Sequence, residues 1–133
     1  MRSSQELLER LDTIPGVGER VAQAIVAEIG TDVSRFPTGS HLASWARVCP
    51  SNDESAGKRR TSHIGPGNPW LRATLVEAAW AATHATHTYL AAQYRRLAAR
   101  LGHKRALIAV VHTILIIAYR IIRDGATYED LGQ

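Results

Sequence analysis

The sequence predicts an all-α domain, and three observations support that expectation. Apolar residues recur three and four positions apart in successive windows, as one buried face of a helix requires. The windows open on Ser, Thr or Asn and close on Gly, the residue types that satisfy free backbone groups at helix ends. No segment alternates apolar and polar residues strongly, although residues 48–68 leave room for a two-stranded ribbon, and no internal repeat is present. At 133 residues the chain is expected to be one domain, 1–133, burying roughly two-thirds of the surface that its unfolded form exposes.

Each element has its own local signals. Ser3 or Ser4 caps a short helix through QELLERLDTI, with Leu7, Leu8 and Leu11 on one face. Pro-Gly-Val-Gly turns the chain into a second helix from about Glu19 to Ile29, where Val21, Ala24, Ile25 and Glu28 or Ile29 keep helical spacing and Gly30 stops it. A break at Pro37 and a cap at Thr38 or Ser40 introduce a third helix through Leu42 and Trp45. Residues 48–68 hold too many turn formers for regular structure. Asn68 then caps, and Pro69 opens, a long helix expected to run unbroken through WLRATLVEAAWAATHATHTYLAAQYRRLAARL to Gly102. A last helix spans about Lys104 to Arg123. These two helices form a long C-terminal hairpin, residues 69–123, in which Leu71, Leu75, Ala78, Ala79 and Ala82 face Leu107, Val110, Val111, Ile114, Leu115 and Ala118.

Composition narrows the function classes. The chain has 16 Lys+Arg against 12 Asp+Glu, a formal net charge of +4 and a pI near 9.7, a balance that favours polyanionic partners. Cys49 is the single cysteine, which excludes an internal disulfide and a cysteine-rich zinc site; within ARVCPS it reads as a packed residue. The apolar run from Ala106 to Tyr119 lies between Arg105 and Arg120. At 1.5 Å per residue it reaches about 21 Å, short of a bilayer core, so a buried helix and no membrane association are expected. No signal peptide is evident at the start, and an intracellular location is the expectation.

Two segments carry chemistry. The first is LDTIPGVGERVAQAIVAEIG, residues 11–30, where two helices meet at a turn whose glycines can adopt left-handed dihedrals and leave backbone N–H groups exposed. Those groups, with the N-terminus of the next helix, make a phosphate seat. The pattern resembles the helix-hairpin-helix element of DNA-binding and repair proteins, which grips the backbone without reading sequence. Gly16, Val17, Gly18 and Arg20 are the candidate DNA contacts, and a plain helix–helix turn that needs glycine is the bland alternative.

The second is CPSNDESAGKRRTSHIGPGNPWLR, residues 49–72. Connections between helices usually take about 2 to 8 residues, so a loop of this length calls for a function. From Ser55 to Arg72 there is no acid, while Lys58, Arg59, Arg60 and Arg72 are cationic and His63 can become so. An alcohol attacks a phosphodiester only when positive charge neutralises the phosphate and something accepts the proton. SAGKRR supplies the alcohol, close backbone access at Gly57 and the charge, but no evident base. A solvated basic loop, with Ser55 as one serine among several, is the alternative from composition alone.

The ordered set IPGVG, AEIG, LASWARVCPSNDESAGKRR, HIGPGNPWLRATLVEAAW and YEDLG resembles the C-terminal domain of bridge-RNA-guided insertion-sequence transposases, the IS-one-ten group with its IS-one-sixteen and IS-nine-oh-two relatives. The resemblance runs from about Leu7 to Leu131. It implies that Ser55 is a recombinase nucleophile forming a phosphoserine. Around it, Gly57, Lys58, Arg59, Arg60 and Arg72 become DNA-binding candidates, with Asn68 capping the helix that presents Arg72. It also implies an N-terminal domain resembling a Holliday-junction resolvase, whose acidic residues bind divalent metal, Mg²⁺, and complete the site with the serine domain of another protomer. The acids Asp12, Glu28, Asp32, Asp53, Glu54 and Glu77 are scattered and do not reproduce that domain. No cofactor or metal is therefore expected in this chain itself. The implied partners are DNA, a guide RNA in the full-length enzyme, and further copies of the chain, in the bacterial cytoplasm at the nucleoid.

Other constellations weigh less. His84 and His87 could hold a metal but lack a third ligand nearby. Tyr89 and Tyr94 would suit a tyrosine recombinase, yet they sit on an alanine-rich helix whose apolar face they complete, with Arg95 and Arg96 as a solvated edge. Trp70 and Trp80 are expected in the core, with Trp70 also placed to stack on a splayed base. A non-catalytic DNA-binding module and an inactive transposase remnant are the alternative readings.

Overall fold

The computed structural model describes residues 3–46 and 69–128, which form six helices and no strand. They are α1 (Ser4–Asp12), α2 (Gly18–Ile29), α3 (Gly39–Ala46), α4 (Pro69–Ala82), α5 (Tyr89–Leu101) and α6 (His103–Asp124). The all-α expectation is met. The proposed ribbon, Cys49 and the serine-and-cation segment lie outside the described residues.

The first three helices form where their caps and spacing place them. The Ser3 hydroxyl accepts from the Glu6 N–H and starts α1, which buries Leu7 and Leu11. α2 packs on α1 and buries Val21, Ala22, Ala24, Ile25 and Ile29. The Thr38 hydroxyl accepts from the His41 N–H at the start of α3, which buries Leu42, Ala43 and Ala46.

α6 is the centre of the fold. α1, α3, α4 and α5 all pack on it, and it buries Ala106, Val110, Val111, Ile114, Leu115, Ala118, Tyr119, Ile121 and Ile122. Its 22 residues are long and apolar enough to cross a membrane by length and composition. The helix thus extends beyond the Ala106–Tyr119 run at both ends, and its apolar side is covered by other helices. Two hydrogen bonds pin it: the Tyr119 hydroxyl donates to the Phe36 carbonyl, and the Arg10 guanidinium donates to the Gly125 carbonyl just beyond its end. A cation at a helix C-terminus also opposes the partial negative charge there.

The expected long helix from Pro69 to Gly102 is two helices. Between α4 and α5, side chains take over the backbone groups that helical turns would pair. The Thr83 hydroxyl and His84 Nδ1 both donate to the Trp80 carbonyl, at 2.7 and 3.0 Å. The Thr88 hydroxyl donates to the Ala85 carbonyl and accepts from the Ala91 N–H, which caps α5. His87 between them has φ +62°, a left-handed conformation no helix accepts. Thr and His at this density compete with the helix for its own backbone, and the apolar spacing on either side hid that competition. The C-terminal part is accordingly α4 and α5, each packed on α6, with the tight corner at Gly102. Leu71, Leu75, Ala78, Ala79 and Ala82 are all buried beside α6, as expected.

Candidate nucleic-acid interface

The turn between α1 and α2 has the left-handed glycines that the sequence foresaw, at φ +85° for Gly16 and +63° for Gly18. Their surroundings differ. A Cβ on Gly16 would come within 2.3 Å of the Ala78 carbonyl oxygen and 2.7 Å of the Ala82 nitrogen, so this glycine lets the turn lie directly on the backbone of α4. A Cβ on Gly18 would meet nothing within 4 Å. Val17 is buried, and its N–H donates to the Ile14 carbonyl at 3.0 Å. The outward part of the turn is therefore Gly18 and the first turn of α2, which no side chain caps among the described residues.

Arg20 stands on that exposed turn. Its Nη2 lies 2.8 Å from Glu77 Oε1 on α4, with both side chains about two-thirds exposed at 67% and 65%. Such a pair contributes only about 0–1 kcal/mol to stability, and its guanidinium keeps donors for another acceptor. Arg72 is exposed in the first turn of α4, beside Trp70, whose ring is 55% exposed rather than buried. Glu77 lies five residues further along α4, about 7.5 Å of helical rise. The helix that ends the serine segment is thus the helix on which the hairpin turn rests. Ser55, Gly57, Lys58, Arg59, Arg60 and Asn68 lie outside the described residues.

Comparison with known proteins decides the family. Residues 8–95 match the family described as Transposase IS116/IS110/IS902, a span that takes in the hairpin, the serine segment and α4. The chain belongs to this transposase family. It is 30% identical over 120 residues to an uncharacterized 43.6 kDa protein of insertion element IS110 from Streptomyces coelicolor, an overlap of 90% of this chain and 29% of that protein. It is 29% identical to a pilin gene-inverting protein of Moraxella bovis, over 90% of this chain and 38% of the relative. A putative transposase of Sinorhizobium fredii is 27% identical, over 96% and 34%. The chain thus spans about a third of the length of these transposase-family relatives. No solved structure matches it.

One group on this transposase-family domain was missed in the sequence. The Trp80 ring is 46% exposed, against the expectation that it fills the core. Around it stand His84, Tyr94 and His103, with ring centroids 4.8, 6.3 and 5.3 Å away and all nearly perpendicular to the indole. The Tyr94 hydroxyl and His103 Nδ1 share a 2.6 Å hydrogen bond. Tyr94 packs against the core from α5, as expected, and is also held by a histidine across the α5–α6 corner. The helix break brings His84 to the indole, and that break was itself not foreseen. A signal was nonetheless present: no Asp or Glu occurs between Glu77 and Asp124.

Proposed function

We propose that this chain is the DNA-binding, serine-nucleophile domain of an insertion-sequence transposase, in which Ser55 attacks a DNA phosphodiester. The observation that carries the proposal is the family match over residues 8–95, which spans Ser55 together with Lys58, Arg59 and Arg60. The Moraxella relative is named for inverting a pilin gene, and inverting a gene requires strands to be broken and rejoined. A covalent protein–DNA intermediate conserves the energy of the broken bond for rejoining.

In the step itself, the Ser55 oxygen forms a bond to phosphorus while the bond to one sugar oxygen breaks. The serine proton leaves with a base outside SAGKRR, and the departing sugar oxygen takes up a proton. Lys58, Arg59, Arg60 and Arg72 neutralise the phosphate, and the Gly57 backbone allows close approach. The α1–α2 turn, through Gly18 and Arg20, holds flanking duplex by its phosphates, with Gly16 and Val17 shaping the turn from beneath. A divalent metal would polarise the phosphate. In this reading its ligands come from an acidic domain of another protomer in the full-length enzyme. Guide RNA would choose the DNA site, and the reaction takes place at the bacterial nucleoid.

The test supplies the acidic domain in trans with guide RNA and a cognate DNA pair. The wild-type chain is expected to form a protein–DNA band that survives denaturation. Ser55→Ala should abolish the band and leave non-covalent binding intact, while Ser51→Ala and Ser62→Ala should retain the band. A band formed by Ser55→Ala would overturn the nucleophile, and no band from the wild type would favour a non-catalytic binding module.

A further inference from the structure

We infer that Trp80 and the basic α5–α6 corner form a separate binding surface for single-stranded nucleic acid, with an unpaired base stacked on the indole and flanking phosphates held by Arg100 and Lys104. This rests on the nucleic-acid reading above but not on Ser55 or the serine segment. Three observations support it.

The first is charge. Arg95, Arg96, Arg100, Lys104 and Arg105 are all exposed around the Gly102 corner, and no described carboxylate pairs with any of them. The nearest acids in sequence are Glu77, engaged with Arg20, and Asp124 at the far end of α6. Uncompensated cations of one sign collect polyanions and release their counterions.

The second is the aromatic at the foot of that charge. The Trp80 side chain is 46% exposed. Its three perpendicular neighbours fix its orientation, and the Tyr94–His103 bond ties the cluster across the corner. A ring already held in place loses little freedom when a base stacks on it. Sequence-tolerant stacking on an aromatic beside a positive track is how single strands are held, whereas a paired base offers no free face.

The third is continuity. Glu77, Trp80 and His84 follow one another at helical spacing along the exposed side of α4 and its last turn. At one end of that stripe is Arg20 of the hairpin turn, and at the other is His103 beside Lys104. A duplex gripped by the hairpin that frays toward α5 would therefore deliver an unpaired strand to Trp80. A lipid surface is less well matched, because the exposed ring is bordered by hydrogen-bonding His and Tyr side chains.

The experiment measures fluorescence anisotropy of the 133-residue chain with labelled oligothymidylate and with labelled duplex, and co-sedimentation with vesicles of phosphatidylglycerol and phosphatidylcholine. Trp80→Ala should weaken oligothymidylate binding about tenfold, Trp80→Phe should restore most of it, and duplex affinity should change less than about twofold. Arg100→Gln with Lys104→Gln should lower the salt dependence of single-strand binding by about 1.4 in log–log slope. Circular dichroism confirms that each variant is folded, and both substituted positions of the charge variant are exposed. If oligothymidylate affinity is unchanged in Trp80→Ala and in the charge variant while duplex still binds, the stacking surface is overturned and the proposed function stands. If neither nucleic acid binds, both fall. Vesicle binding that depends on Trp80, without oligothymidylate binding, would overturn this surface in favour of a membrane one.

Discussion

Gly16 and Gly18 have the same handed backbone and different obligations. Gly18→Ala meets open space, so only the left-handed strain of about 1–2 kcal/mol is expected. Gly16→Ala adds a collision with the α4 backbone, which cannot yield as a flexible side chain would, and should cost about 3 kcal/mol or more. Urea unfolding of the two variants checks the order; equal losses would mean that the turn does not rest on α4. His112 offers a second residue-scale test. Partial burial on α6 holds its imidazole below the usual value near 6.5, because desolvation penalises the charged form. The unfolded chain then binds a proton more readily, so the His112 contribution is fully present above about pH 6.5 and is lost as pH falls below it. His112→Gln should flatten the decline in melting temperature between pH 7 and pH 5 relative to the wild type.

The break between α4 and α5 is the element whose chemistry most departs from its apolar pattern. In a continuous helix, His87→Gly would cost about 0.5–1 kcal/mol through glycine's poor propensity. With His87 at φ +62°, the same change relieves strain and should stabilise the protein by about 1 kcal/mol. Thr88→Ala should cost about 1 kcal/mol, since it removes the α5 cap. A thermal melt of both variants distinguishes a broken helix from a continuous one by the sign of the His87 effect. The hairpin element gives a complementary case. Arg20→Gln breaks an exposed ion pair and should leave stability within about 1 kcal/mol, while duplex DNA binding weakens. Unchanged DNA affinity in that variant would remove Arg20 from the interface.

At the scale of the whole molecule, α1, α3, α4 and α5 converge on one helix, α6, while α2 packs on α1 and α4. Val111→Asp places a charge with no partner where α6 is fully covered, and a loss of several kcal/mol is expected, visible as a large fall in melting temperature. Phosphate contacts from two separate surfaces predict duplex binding that is indifferent to sequence and falls steeply with salt. Titration at rising salt concentrations measures this, and a flat response would argue against phosphate binding by the hairpin. The same arrangement explains how a chain spanning about a third of its relatives can hold its own core: α1, α3, α4 and α5 each bury apolar residues on the side that packs against α6.

The sequence by itself determined the helical class, the left-handed glycines at 16 and 18, the faces that α4 and α6 bury, and a cap at Ser3 or Ser4 and at Thr38 or Ser40, of which the structure uses Ser3 and Thr38, because periodicity and end chemistry are local. It also carried the family, to which residues 8–95 match. Tertiary structure alone decided that Gly16 faces α4 and Gly18 faces outward, since a left-handed φ at both says nothing about what lies beyond them. It alone set Trp80 at the surface among His84, Tyr94 and His103: residues from α4, the α4–α5 break, α5 and α6 meet only once the break redirects the chain. Apolar spacing reports how much of a helix is covered, whereas the position of a ring at the rim of that cover depends on where its neighbours end.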